Sequence, residues 1–409
     1  MLFPPMLSYR RRRPGGVLGG SIIYLLRDEF ITSRLAGAVN GTLAEPGPGT
    51  RTVIDTDSKL SISGGALQLA PDSTAPVIGD PGLWYGAITR ELGKIFIFRT
   101  APTEINKIAA FGLDIDQSGA AGANWLSFGA SGAVFVNNAV RTLDYSSTAY
   151  SLAVVLRALG AFHFAKGGIL SNWTLLYADP TNSTATLYPC LLNQTATLTV
   201  DFFRHPQDKY IPVPTLSDGF GSAAVGGIYY TDGLGHAEAN GGGNLPWSDA
   251  VGTWQNNAGK ANATSLPIGV GIRLATAKSD ILISTQPTRS GAKVGIVIRY
   301  VDSLNYVYIT HDGTNVNVQQ VLAGVDSNLQ STAGAAPNGT RRLEAWCKGN
   351  TLRVYWNGAI SGSPLTLDAS LSSGSQVGLY STNVLNTFDN FYIFPVGSGG
   401  EHSSLDRFL

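Results

Sequence analysis

The sequence predicts an all-β fold, two tandem antiparallel β-sandwich domains behind an extended N-terminal arm, on three observations. Charged residues fill only 14% of the 409 positions, while 49 are glycine and 44% of the chain is apolar, a balance that favours short strands and turns over solvated helices. Runs of β-branched and aromatic residues alternate with turn dipeptides along the chain. Several segments also recur at a nearly constant spacing, which sets the number of units.

The strand candidates include Lys94 to Phe98, Ala133 to Val136, Val294 to Ile298, Tyr306 to Ile309 and Leu352 to Trp356. Turn pairs such as Asn40-Gly41, Gly64-Gly65, Gly167-Gly168, Asp312-Gly313, Asn338-Gly339 and Asn357-Gly358 punctuate the chain around them. Branched and aromatic side chains fit a pleated surface, and Asn-Gly or Asp-Gly supplies the positive φ of a tight turn. Helical periodicity is weak and no strand-helix-strand alternation appears, so antiparallel sheets packed face to face are expected.

Leu26-Arg27-Asp28-Glu29-Phe30 recurs as Leu216-Ser217-Asp218-Gly219-Phe220, and Val154 to Gly167 recurs as Glu344 to Gly358. Thr186-Leu187-Tyr188, a loop and Val200-Asp201-Phe202-Phe203 recur as Gly378-Leu379-Tyr380, a loop and Phe388-Asp389-Asn390-Phe391. The offset is 190, 191 and 192 residues at Asp28 and Asp218, Gly167 and Gly358, and Tyr188 and Tyr380, with loop insertions needed to align the strands between them, and a chain this long exceeds what one core ordinarily serves. The expected boundaries are a docking arm over 1–25, a first sandwich over 26–209 and a linker over 210–215 stiffened by Pro212 and Pro214. A second sandwich over 216–396 and a polar tail over 397–409 complete the chain.

Three stretches of the second unit carry a family likeness: Val294 to Tyr308 and beyond, two strands around a polar turn; Arg342 to Gly358, a hairpin closed by Gly-Asn and ending in Asn-Gly; and Gln376 to Pro395, a closing strand pair. In these stretches the unit resembles the concanavalin A-like lectin and glucanase superfamily, above all its laminin-G-like jelly-roll branch. The likeness reaches the first unit only through the repeat. No active-site residue lies among these stretches, so the resemblance implies the sandwich before the sugar.

With 28 basic and 28 acidic residues, the chain has no long-range field to draw in nucleic acid or an anionic membrane. No apolar stretch reaches the roughly 18 residues of a membrane span. Arg10 to Arg13 followed by Val17 to Leu26 imitates an export leader, yet Pro14, four glycines and Arg27-Asp28-Glu29 fit one poorly.

Glucanases of the superfamily need two carboxylates about 5 to 5.5 Å apart, which a strand supplies as Glu-x-Asp-x-Glu. Here Glu29, Glu45, Glu91, Glu104, Glu238, Glu344 and Glu401 stand apart from any such partner. Asp55 with Asp57 and Asp114 with Asp116 are alternating pairs that could share a cation or act as a dyad, or else sit as ordinary loop carboxylates. His163, His205, His236, His311 and His402 lack metal-ligand spacing, and no nucleophile elbow or phosphate loop occurs. Cys190 and Cys347 have no CxxC neighbour and are expected as buried free thiols. The chain is therefore expected not to be an enzyme and to need no cofactor, calcium having no motif behind it.

Aromatic side chains remain as binding candidates, because sugars stack their C–H faces on rings while amides bond their hydroxyls. Trp247, Trp254 and Asn256 form one candidate group for carbohydrate; Tyr306 and Tyr308, on one face of a strand, form another. Phe3 and the cluster Arg10, Arg11, Arg12 and Arg13 are candidates for docking a partner. Together these features suggest a non-catalytic virion structural protein of a bacteriophage, tail-associated, fibre-base or decoration. Other virion subunits would be bound through the arm, a host-surface or capsule glycan is a further candidate partner, and an oligomer is expected. The alternative is a secreted or cell-surface carbohydrate-binding lectin, extracellular instead of in the virion, with a glycoside hydrolase as the third reading.

Overall fold

The computed structural model describes residues 22–71, 78–102, 109–118, 122–128, 133–136, 139–144, 149–157, 160–179, 184–210, 212, 216–218, 247–257 and 259–409. The arm candidates Phe3 and Arg10 to Arg13 lie outside these residues.

The strands form four antiparallel sheets, two built from residues 24–206 and two from residues 216–395. In one sheet of the N-terminal half the order is Leu170–Asp179, Ala161–Gly167, Tyr150–Leu156, Ile95–Pro102, Leu198–Pro206, Ala66–Leu69 and Leu60–Ser63. In the C-terminal half Ala359–Ile360, Thr351–Trp356, Leu343–Lys348, Ile281–Thr288, Thr387–Pro395, Lys260–Ser265 and Thr253–Asn257 follow the same path. In each half the opening strand pairs with the closing one: Tyr24–Asp28 with Leu198–Pro206, and Leu216–Asp218 with Thr387–Pro395.

These two sheets are apolar on both faces, which explains their unbroken runs. Along Ile95-Phe96-Ile97-Phe98, Phe96 and Phe98 enter the core of the N-terminal half while Ile95 and Ile97 face the other way. Along Phe391-Tyr392-Ile393-Phe394, Phe391 and Ile393 enter the core of the C-terminal half while Tyr392 and Phe394 face outward from it. The outward faces meet. Ile95, Ile97, Phe162, Phe164, Trp173 and Leu175 pack with Leu282, Trp346, Tyr355, Tyr392 and Phe394 in one buried cluster. The result is four sheets in a stack with three apolar layers between them, and strands buried on both sides have no need of polar alternation.

Hydrogen bonds join the halves across this seam. The Trp346 indole N–H donates to the Leu175 carbonyl at 2.9 Å, and Arg342 donates to the Tyr177 hydroxyl at 3.0 Å. Glu344 is fully buried 3.6 Å from Arg342. The polar C-terminal segment packs here as well: a 3-10 turn over Ser403–Phe408 buries Leu405 and Phe408 in the seam. His402 anchors it, with Nε2 at 2.9 Å from the Pro395 carbonyl and Nδ1 at 2.7 Å from the Tyr210 hydroxyl.

Both cysteines are buried free thiols, Cys347 in the C-terminal core and Cys190 beside Trp84 on the outermost sheet of the N-terminal half. Burial pushes both thiols up in pKa, Cys190 the further, so neither is poised as a thiolate.

Candidate functional site

The outermost sheet of the C-terminal half runs Val325–Ala333, Asn315–Leu322, Asn305–His311, Val294–Asp302, Gln376–Ser381, Gly271–Thr276, Ser248–Val251. Strand alternation assigns its faces. Val307 and Ile309 enter the core, so Tyr306 and Tyr308 stand on the outer face, as their spacing predicts. Val377 and Leu379 enter the core, so Tyr380 shares that outer face from the second strand over.

Tyr300 arrives by a different route. A bulge between Val297 and Tyr300, with Arg299 at φ 52°, turns two consecutive residues, Ile298 and Arg299, inward. Arg299 is 2% exposed and donates to Asp280 at 3.0 Å, to the Cys347 sulfur at 3.2 Å and to the Ser372 carbonyl at 2.7 Å. The bulge returns Tyr300 to the outer face, where its ring lies 5.5 Å from that of Tyr306. The row then continues, Tyr306 to Tyr308 at 5.8 Å and Tyr308 to Tyr380 at 4.7 Å, the last pair stacked at 16°.

The row is stepped in depth. Tyr308 and Tyr380 are buried, while Tyr300 and Tyr306 are half-buried. Gly295 lies opposite Tyr380 in the register, and a Cβ there would stand 1.9 Å from the Ile309 carbonyl oxygen, so the strands approach this closely only because glycine is present.

Acceptors flank the rings. The Tyr308 hydroxyl donates to Asp326 at 2.5 Å, and Asp302 accepts from Asn305 at 2.9 Å and from the Leu304 backbone at 2.8 Å. Burial raises all four phenols, that of Tyr380 to about 12 and that of Tyr308 further still, with Asp326 adding to the rise at Tyr306, Tyr308 and Tyr380. They are neutral hydrogen-bonding groups at physiological pH.

The other aromatic group is built differently from the expectation. Trp254 lies on the strand Thr253–Asn257, is 6% exposed, packs against Phe388 and donates its indole N–H to the Val251 carbonyl at 3.3 Å. It is a core residue and no loop platform. Trp247 is half-buried edge-on to Phe391 at 5.0 Å, with the Arg273 guanidinium 5.2 Å from its ring centre. The Asn256 side-chain amide oxygen, Oδ1, accepts from Arg273 at 2.6 Å. Arg273 therefore gathers Trp247 and Asn256 at the edge of the C-terminal core, away from the tyrosine row, and the two predicted groups are not one site.

Asp55, Asp114 and Asp116 each take up local hydrogen bonds. Asp55 accepts the backbone N–H groups of Lys59 and Leu60 at 2.6 and 2.9 Å, closing a turn. Asp114 is buried and accepts the Trp84 indole N–H at 3.0 Å, while Asp116 is turned to Ser118. Asp114 and Asp116 thus form no dyad. Tyr300, Tyr380 and Asp326 were not among the sequence candidates; an aromatic outside the core pattern on a neighbouring strand was the available signal.

No family model and no curated protein matches the chain. Solved structures similar to it include the carbohydrate binding module CBM66 from Bacillus subtilis, at 16% identity and TM-score 0.31 over 37% of this chain and 97% of that one. The Caenorhabditis elegans galectin LEC-6 is similar at 9% identity and TM-score 0.25, over 29% of this chain and 88% of that one. A GH43 glycosyl hydrolase from Bacillus licheniformis is similar at 12% identity and TM-score 0.32, over 86% of this chain and 75% of that one. At these identities and scores the likeness extends to neither substrate nor chemistry. It does correct one expectation. Hydrolases stand beside binding modules and a galectin among the similar structures, so the reading of the chain as no enzyme is withdrawn. The physical reason is that carboxylates converge from separate strands as readily as along one, and a missing Glu-x-Asp-x-Glu motif excludes only the second arrangement.

Proposed function

We propose that the chain binds carbohydrate on the outer face of the seven-stranded sheet, with Tyr300 and Tyr306 as the stacking surface. The observation that carries this reading is the continuous row Tyr300, Tyr306, Tyr308 and Tyr380, whose half-buried end brings two rings beside the acceptors Asp302 and Asp326. An aromatic surface edged by polar groups takes the apolar face and the hydroxyls of a sugar together. Tyr308 and Tyr380 lie beneath and hold the outer two rings in place.

The setting we infer is a virion component made of two tandem sandwich domains. The shared strand order of the two halves supports the tandem reading, and the buried seam, which makes the halves one rigid support, is the feature that suits a structural part of a particle.

A glycan array probed with the full chain, followed by calorimetry, tests the binding. Tyr306→Ala is expected to weaken binding about fivefold to tenfold, the worth of one aromatic contact, while leaving the fold intact. Absence of any glycan ligand, or ligands indifferent to Tyr300→Ala and Tyr306→Ala, overturns the reading. Mass spectrometry of purified virions tests the setting, and virions without this chain would refute it.

A further inference from the structure

A second concavity, of about 450 Å³, opens where the two halves meet at the seam. The hairpin carrying Ser171 and Asn172 forms one wall, the turn Lys348 to Asn350 forms the other, and Asp280 and Ser398 close the end. Its volume falls in the range of small-molecule sites.

The charges in this cleft do not cancel. Asp280 is fully engaged: one carboxylate oxygen accepts from Arg299 at 3.0 Å and from the Gly349 backbone at 2.8 Å, and the other accepts from the Ser398 hydroxyl. Its negative charge is thus matched by the buried Arg299 guanidinium. Among the described residues Lys348 has no carboxylate at bonding distance. Its ammonium donates to the Thr174 hydroxyl oxygen at 3.2 Å, and that hydroxyl's own proton is directed to the Asn172 carbonyl at 3.1 Å. An ammonium has three N–H groups, so two remain for a ligand. Lys348 is half-buried, and burial lowers its pKa while Asp280 opposes the fall. A cation held partly out of water without a carboxylate at bonding distance gains from any anion that enters.

The rest of the lining is uncharged, apolar at Ile169 and Leu170 and hydrogen-bonding elsewhere. Ser171, Asn350 and Thr351 bring hydroxyls and an amide, while the Asn172 amide donates to the Ser398 carbonyl at 3.3 Å and the Ser398 hydroxyl to Asp280. The Trp346 indole forms part of the floor but is fully buried, so it offers no stacking face.

We propose that the seam cleft binds a small ligand with one carboxylate and several hydroxyls, a carboxylated sugar of monosaccharide size, anchored through its carboxylate by Lys348. A single uncompensated cation suits a single negative charge, whereas a doubly charged phosphate would ask for a second. The site shares no residue with the tyrosine row and stands or falls independently of it.

Titration calorimetry with the full chain uses glucuronate, its neutral counterpart glucose, and inorganic phosphate. Glucuronate is expected to bind saturably and glucose to bind at least tenfold more weakly. Lys348→Met keeps the aliphatic stem and removes the charge, and is expected to raise the glucuronate Kd about tenfold, the effect of one charge-assisted hydrogen bond. Asn350→Asp, which puts a negative charge on the exposed turn, is expected to weaken glucuronate as well, and an unchanged melting curve shows that either variant is folded. Tyr306→Ala is expected to leave glucuronate binding untouched. The proposal is overturned if glucuronate shows no saturable binding, if Lys348→Met binds it as tightly as the wild type, if glucose binds equally well, or if phosphate binds more tightly than glucuronate.

Discussion

His205 lies 3% exposed with its ring stacked on Phe96, centroids 4.4 Å apart, and its Nδ1 stands 2.9 Å from the Ile95 carbonyl. A carbonyl only accepts, so Nδ1 carries a proton. Burial pushes its pKa down from 6.5 to about 4. The unfolded chain binds a proton below pH 6.5 that the native chain refuses until near pH 4, so stability is full above pH 6.5 and falls as pH falls between those values. The loss amounts to about 3 kcal/mol. Urea unfolding followed from pH 7 to pH 4 is expected to show it, and His205→Gln to flatten that part of the profile. A profile that His205→Gln leaves unchanged would assign the pH dependence to other groups, of which His311 and His402, both also lowered by burial, are the first to examine.

Among the elements, the C-terminal 3-10 turn is the one whose character the sequence hid. Residues 397–409 read as a polar tail, because Glu401, His402, Asp406 and Arg407 outnumber Leu405 and Phe408. Those two apolar side chains are nevertheless fully buried in the seam. Phe408→Ala is expected to lower stability by about 3 to 4 kcal/mol, read from chemical denaturation, whereas an exposed tail would lose nothing. The strands were far more legible. Ile95 to Phe98 and Val294 to Ile298 carry their type in composition alone, and Tyr306 with Tyr308 carry a shared face in their spacing. Tyr300 and Tyr380 were not legible in that way, because their place in the row depends on cross-strand register and on the bulge at Arg299, which are tertiary facts. Trp254 misled for the opposite reason: Gln255, Asn256 and Asn257 surround it with loop-like polarity, while pairing of its strand to Lys260–Ser265 turns the indole inward.

Across the whole molecule, the seam sets how the halves behave together. Trp346 is fully buried there and bonded to the opposite half through Leu175, and Lys348 and Arg342 add contacts to Thr174 and Tyr177. Heating is expected to unfold both halves in one calorimetric transition with matching van't Hoff and calorimetric enthalpies. Trp346→Ala, at a cost of about 3 to 5 kcal/mol, is expected to lower that transition or divide it. Two separate transitions in the unaltered chain would show that the seam does not couple the halves.

The stack has a further consequence for reach. Packed sheets lie about 10 Å apart, so three layers hold the outermost sheets about 30 Å from each other. The tyrosine row lies on the outermost sheet at one end, whereas on the outermost sheet at the other end the cluster around Trp84 and Cys190 is fully buried. Whatever touches the first sheet is beyond the grasp of the second. The stack in effect fixes the gauge between its two outermost sheets.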